Sequence, residues 1–353
     1  MKHRLVHQLP PSQNNPRNSE GAFLRGKSGE ILFAYSRYNG DSGLDHASCD
    51  IAMIRSFDEG ESWSDPVIIA QAAEFGTKNI MSVSALEQQS GELGFYFLIN
   101  ENDFTTTIGR AVSSDGVNWK SERCTCNFPK GFYVINNDRI VRLSDNRLIA
   151  PAAVCSAEEI QRKGFLMSVT ALVSQDDGKT FSRVPWTFSL PNPAPWCYRG
   201  YEEPGIIEYE DRIYYWMRTC LGRQYETVST KGICDFFEPR PSEFTSPDSP
   251  MQLKQFDGVT YAIYNPIPKY DGHIEQKGSW FRTPFVLRKS IDGGNSWGVL
   301  NIIEDESTRG YCYPAIFKTN DNALLLGYCR GSGEDGTTLC RLGIAKIEIA
   351  SID

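Results

Sequence analysis

Histidine is scarce in this chain of 353 residues, and the four copies, at positions 3, 7, 46 and 273, are too dispersed to suggest a transition-metal site. Ten cysteines are present, yet none has zinc-ligand spacing; Cys124 and Cys126 are one residue apart and the rest are scattered. Reduced, mostly buried thiols are therefore expected, with no metal and no cofactor. There is no Gly-rich phosphate loop, GxSxG elbow or HExxH pair, which removes the usual signposts of nucleotide, serine-nucleophile and zinc chemistry. Long helical periodicity is absent too. The opening MKHRLVHQLPPSQNNPRNSE has no apolar core, so neither a secretory leader nor a membrane anchor is expected, and the cytoplasm is the expected location. Basic residues are outnumbered, 36 against 44 acidic, and the net charge of −8 argues against a nucleic-acid or anionic-membrane partner.

What is abundant is turn chemistry. Thirty glycines, nineteen prolines and 12% aromatic residues suit an all-β chain. Five segments share a serine, an aspartate, a glycine and an aromatic residue: SFDEGESW at Ser56, SSDGVNW at Ser113, SQDDGKTF at Ser174, a worn STKGICDF at Ser229 and SIDGGNSW at Ser290. Their serines lie 57, 61, 55 and 61 residues apart, the period of one supersecondary unit copied around a ring or along an array. Short polar side chains can hydrogen-bond the backbone of a tight turn, glycine supplies a conformation other residues resist, and the aromatic ring pins the turn to its strands. Such boxes recur in every unit, so they read as scaffold rather than as an active site.

A second repeat counts the units. Apolar, aromatic-rich runs follow turn residues at Gly29, Gly91, Asp145, Glu210, Asp257 and Asp321. Each is too short for a helix and reads as a buried strand near the middle of a blade. Six copies predict a six-bladed β-propeller of four-stranded antiparallel blades, with each box between the last two strands. Only CRLGIAKIEI follows the sixth run, without a box. The early segment RLVHQL is therefore expected to supply the outer strand of the last blade and close the ring. Residues 1–353 are read as one domain, because a ring of repeats shares one set of interfaces.

These boxes, the six runs and the segment AYSRYNGDSGLDHASCDIAMIRSFDEGESW together resemble the sialidase (neuraminidase) superfamily over nearly the whole chain. The resemblance implies a glycoside hydrolase and assigns residues. Arg37 closes the second strand of the first blade, and Asp45, five residues before the strand from Asp50, corresponds to the acid/base. In EEPGIIEYEDRIYYWMR, Glu203 matches the catalytic glutamate, and Arg218, fifteen residues on, a carboxylate-binding arginine. Arg282, eight residues before its box in RTPFVLRKSIDGG, matches another, with Arg288 as the competing assignment. The segment GYCYPAIFKTNDNALLLGY places the nucleophile at Tyr313. Glu20 and Asp138, the latter from the polar cluster Asn137, Asp138 and Arg139, complete the expected substrate-binding set with Arg37, Arg218 and Arg282.

The chemistry explains these residue types. A sialic acid carries a carboxylate on its anomeric carbon, which repels an anionic nucleophile and favours a phenol. The resemblance implies that Tyr313 attacks as Glu203 takes its proton, giving a covalent intermediate and retention. Asp45 is expected to protonate the leaving oxygen in that step and later to activate water, a role that calls for a raised pKa. Arginine forks match a carboxylate at two points.

Two positions depart from the family. Where members carry the first arginine of a triad, this chain has Ser19, Glu20 and Gly21, with Arg17 two residues earlier able to substitute only on a different backbone path. The glutamate that supports that arginine corresponds to Cys329. An acidic Glu20 repels a carboxylate, so another ulosonic acid, a modified sialic acid or an uncharged terminal sugar stays open. So do a carbohydrate-binding propeller without catalysis and a neutral-sugar hydrolase with Glu20 or Asp45 in a new carboxylate pair.

Overall fold

A computed structural model describes residues 1–191, 199–267 and 280–353. The second strand of every blade is one of the apolar runs: Ile31–Tyr38, Leu93–Asn102, Leu148–Cys155, Ile213–Arg218, Val259–Tyr264 and Ala323–Cys329. Four blades have four antiparallel strands in chain order from the inside outwards. The sixth combines Cys312–Lys318, Ala323–Cys329 and Leu342–Glu348 with the N-terminal His3–Leu9, registered His3 to Ile347 and Leu9 to Leu342. The ring therefore closes as the sequence implied.

These strands read as unbroken apolar runs because both faces of a blade are covered. Side chains alternate across a strand, so Ile213, Tyr215 and Met217 pack towards the third blade while Trp216 packs towards the fifth. Six hydrophobic clusters fill the six interfaces in turn. One of them, joining Leu9, Ala315 and Leu325 to Phe23, Phe33 and Tyr35, seals the last blade to the first. Each fully buried Leu, Ile or Phe stabilises its interface by about 1.5–3 kcal/mol, so the closing joint is held by the same apolar burial as the others.

The boxes sit between the third and fourth strands. In the first, Ser56 Oγ donates to Asp58 Oδ1 at 2.8 Å and accepts from Gly60 N, while Asp58 Oδ1 accepts from Ser62 N at 2.9 Å. The same three bonds recur at Ser174 and at Ser290. The worn box has Lys231 in place of the aspartate and keeps only a Lys231 N to Ser229 Oγ bond of 3.2 Å. Box glycines also touch the preceding blade. At Gly178, with φ of +76°, a Cβ would lie 2.3 Å from Tyr96 of the second blade.

The third blade departs from the expected four strands. Its inner strand is split into Phe132–Val134 and Val141–Arg142, both paired with Leu148–Cys155, and Thr125–Asn127 adds a parallel outer strand against Thr180–Arg183. The same blade carries the helix Ala157–Lys163, capped by reciprocal bonds between Ser156 and Glu159. Too short to show periodicity in sequence, that helix delivers Gly164 and Phe165 to the mouth of a cavity.

Candidate active site

Four inner strands break register at the same place, between Ser19 and Ala22, Met81 and Ser84, Glu202 and Gly205, and Cys312 and Ala315. The second residue of each bulge has positive φ: Glu20 at 53°, Ser82 at 62°, Glu203 at 43° and Tyr313 at 55°. Asp138, at 55°, occupies the gap in the third blade's split inner strand. Such conformations cost about 1–3 kcal/mol each and persist where surrounding packing over-determines them. A bulge interrupts the alternation of faces and re-aims its side chain. Here Glu20, Ser82, Glu203 and Tyr313 all reach one cavity of about 560 Å³ on the propeller axis. Asp45, Glu202 and Arg199 also line it, with an aromatic wall of Phe132, Tyr133 and Phe165. A wider groove of about 840 Å³ between outer strands of the first two blades gathers no comparable set of titratable groups.

At the centre, Tyr313 Oη donates to Glu203 Oε1 at 2.8 Å. Arg218 Nη1 donates to Glu203 Oε2 at 2.7 Å, and its Nε to Asp248 Oδ1 at 2.8 Å. Burial pushes the Glu203 pKa up, but Arg218, Arg282 and the tyrosine hydroxyl together hold it below the ordinary value. Glu203 is thus an ionised acceptor. Burial and the Glu203 charge push the Tyr313 phenol well above its usual range, so it keeps its proton until a base removes it. Arg282 lies with its guanidinium carbon 5.6 Å from the Tyr313 ring centre and donates to Cys312 Sγ at 3.0 Å. The neighbouring tyrosines take other work: Tyr328 donates to Glu304 and Tyr311 stacks on Phe285. Arg288 is bound to Glu243 and to loop carbonyls away from the cavity.

The first blade reverses one expectation. Arg17 does reach the site, buried over the Tyr38 ring, with Nη2 3.0 Å from Glu20 Oε2 and Nη1 2.5 Å from Asp45 Oδ1. Glu20 and Asp45 face the cavity; Arg17 stands behind them. The Asp45 side chain is 65% exposed, yet enough protein surrounds the carboxylate to oppose ionisation. The charge and hydrogen bond of Arg17 outweigh that desolvation and lower its pKa, the opposite of the rise expected of a resting acid. The carboxyls that move upward are Glu20, through burial against the pull of Arg17, and Glu202, which burial and the Glu203 charge raise to about 7.

Four expected ligands are not among the residues lining the cavity: Arg218 and Arg282 are buried against Glu203 and Tyr313, and the other two lie elsewhere. Arg37 does not line the cavity, because alternation puts it on the strand face of Tyr35, which packs between the first and sixth blades. Asp138 serves as an axial tie below the site: its carboxylate binds Lys254 Nζ at 2.6 Å and accepts from Gln252 Nε2 and Ile316 N, joining the third, fifth and sixth blades. Sequence reasoning missed Ser82, Arg199 and Asp248. A bulge in the fold places Ser82, and no motif marks the other two. No group of three or more His, Cys, Asp and Glu among the described residues is placed to hold a metal ion. No helix among them is long and apolar enough to cross a membrane.

The model of the BNR repeat-like domain family matches residues 32–327. The chain belongs to that family. Solved structures share its fold. A Dyadobacter fermentans protein of unknown function superposes with a TM-score of 0.71 at 15% identity, over 98% of this chain and 99% of that one. The NanB sialidase of Streptococcus pneumoniae gives 0.71 at 13% identity, over 99% of this chain and 71% of its own. Trypanosoma rangeli sialidase, solved with sialic acid, gives 0.69 at 12% identity, over 99% and 58%. No curated protein matches the chain.

Proposed function

We propose that this member of the BNR repeat-like domain family is a retaining glycoside hydrolase that removes a terminal sugar, with Tyr313 as nucleophile and Glu203 as its base. The hydrogen bond of 2.8 Å from Tyr313 to Glu203, beside Arg218 and Arg282, carries this reading. In the first step the phenol oxygen bonds to the anomeric carbon, its proton passes to Glu203, and the glycosidic bond breaks. Asp45, at the mouth where the leaving group departs, is the proposed acid/base; taking up a proton requires substrate to loosen its contact with Arg17. The proposed substrate is a terminal acidic sugar, a sialic acid or related ulosonic acid, its carboxylate between Arg218 and Arg282. That the Trypanosoma rangeli sialidase, which shares the fold, has been solved with sialic acid supports a sugar as the substrate class.

The test uses 2,3-difluorosialic acid, with which the Trypanosoma rangeli sialidase has been solved as a covalent intermediate. Incubation should add the mass of one sugar to the peptide containing Tyr313, and Tyr313→Phe should abolish the adduct. An unlabelled Tyr313 removes the acidic-sugar assignment.

One observation favours an uncharged terminal sugar instead: Glu20 and Asp45, not Arg17, face the cavity. A fluorogenic glycoside panel separates the readings. Cleavage of a neutral glycoside with inversion supports a carboxylate pair, and glycan binding without any cleavage supports a non-catalytic module.

A further inference from the structure

Arg282 is a buried guanidinium whose hydrogen bond, among the described residues, goes to sulfur rather than to a carboxylate. Arginine does not give up its proton in proteins, and a buried cation needs a counter-charge close by. The group in contact is Cys312 Sγ, at 3.0 Å. Directly across the strand pair from Cys312 stands Cys329. Opposed residues of antiparallel strands have Cα atoms about 4.5–5.5 Å apart, inside the range of about 4.4–6.8 Å found across disulfides, and their side chains share a face. Both cysteines are fully buried in one small cluster with Tyr313 and Leu339, and Tyr313 in turn lines the cavity. Neither is in a disulfide.

We propose that Cys312 and Cys329 form a redox-modification site, at which a small hydroperoxide converts the pair into a cross-strand disulfide beside the Tyr313 centre. The Cys312 thiolate attacks the peroxide, forming an S–O bond as the O–O bond breaks, and the departing oxygen leaves as water or alcohol after taking a proton. Cys329 then gives up its proton and attacks the sulfenic sulfur; the S–S bond forms and the S–O bond breaks, releasing water. Two thiols lose two electrons and the peroxide gains them. A dithiol reductant reverses the change by exchange. The electrostatics divide the two roles. Burial pushes Cys49, Cys124, Cys126 and Cys329 upward. Burial acts on Cys312 as well, but the hydrogen bond from Cys329 and the Arg282 charge reverse it and favour the thiolate. A disulfide carries no charge, so its formation removes the Cys312 charge beside Arg282, one residue from Tyr313, and leaves Glu203 as the nearby anion.

The experiment treats the full chain with hydrogen peroxide, blocks remaining thiols after denaturation and maps the cysteines by peptide mass. The expected result is a disulfide between the Cys312 and Cys329 peptides, reversed by dithiothreitol, while Cys124 and Cys126 stay alkylatable. In Cys329→Ser the reaction should stop at a Cys312 sulfenic acid trapped by a 1,3-dione probe, and Arg282→Met should slow oxidation of Cys312 at least tenfold. Alkylation of both cysteines after peroxide, or modification confined to other cysteines, overturns the proposal. No readout involves a sugar, so the result stands apart from the hydrolase reading.

Discussion

Glu203 and Tyr313, 110 residues apart, occupy the same place in two blades: each is the positive-φ residue of an inner-strand bulge, each precedes a proline, and the phenol of one donates to the carboxylate of the other at 2.8 Å. The pair is a product of the repeat. Two copies of one backbone feature, two blades apart, meet in one cavity, and the chemistry differs only in which side chain each copy carries.

Removing either partner should stop turnover without unfolding the ring. Tyr313→Phe deletes one oxygen and Glu203→Gln removes the charge that accepts its proton. Each should lower kcat on the order of 10³-fold or more with an unchanged circular dichroism spectrum. Activity within tenfold of the parent in either variant would sink the tyrosine mechanism.

Glu202 sets a pH dependence of stability. Its carboxyl titrates at about 7 in the fold against an ordinary 4.5, so the native state holds a proton that the unfolded chain releases. Stability therefore falls as pH rises from about 4.5 to about 7, by something on the order of 2 kcal/mol, and Glu202→Gln should flatten that slope. Urea midpoints at pH 5 and pH 7.5 for the two proteins measure it.

Arg17 stands between Glu20 and Asp45, and Glu20 is buried. Arg17→Met leaves the Glu20 charge without a partner and should cost about 3–5 kcal/mol. Glu20→Gln in the same chain should recover most of the loss. Equal stability of the single and double variants in denaturant titrations would show that the pair is not coupled.

Glycine at the boxes holds blades together as well as turning the chain. Gly178→Ala must adopt φ of +76° and press a methyl against Tyr96, whereas Gly76→Ala, at +68°, meets nothing within 4 Å. The second change should cost about 1 kcal/mol and the first about 2–4 kcal/mol. Thermal melts of the two variants isolate the contact between blades.

Acid should loosen the boxes. Slight burial raises the Asp58 pKa, but hydrogen bonds from Ser62 and Ser56 overcome it and bring the value to about 2. Stability from this group is present above the ordinary 3.8 and is lost as pH falls through about 2. Asp58→Asn should remove that part of the acid transition in a pH melt followed by tryptophan fluorescence.

The chain's own pattern determined the number of blades, the middle strand of each, the position of the boxes and the closure by the N-terminal strand. Those features depend on local turn chemistry and on apolar runs that are buried on both faces, and both are written in consecutive residues. Resemblance to the sialidase superfamily, read through spacing to strands and boxes, marked Glu203, Tyr313, Arg218 and Arg282. Tertiary structure decided the rest. Whether Arg17 or Glu20 faces the cavity, why Arg37 turns away, how Asp138 ties three blades together and which carboxyl holds a proton all depend on bulges and on charges brought in from other blades. A one-residue register shift exchanges inside for outside, and the field at Asp45 comes from a guanidinium 28 positions away in the chain. Neither leaves a local trace, since both are properties of the closed ring.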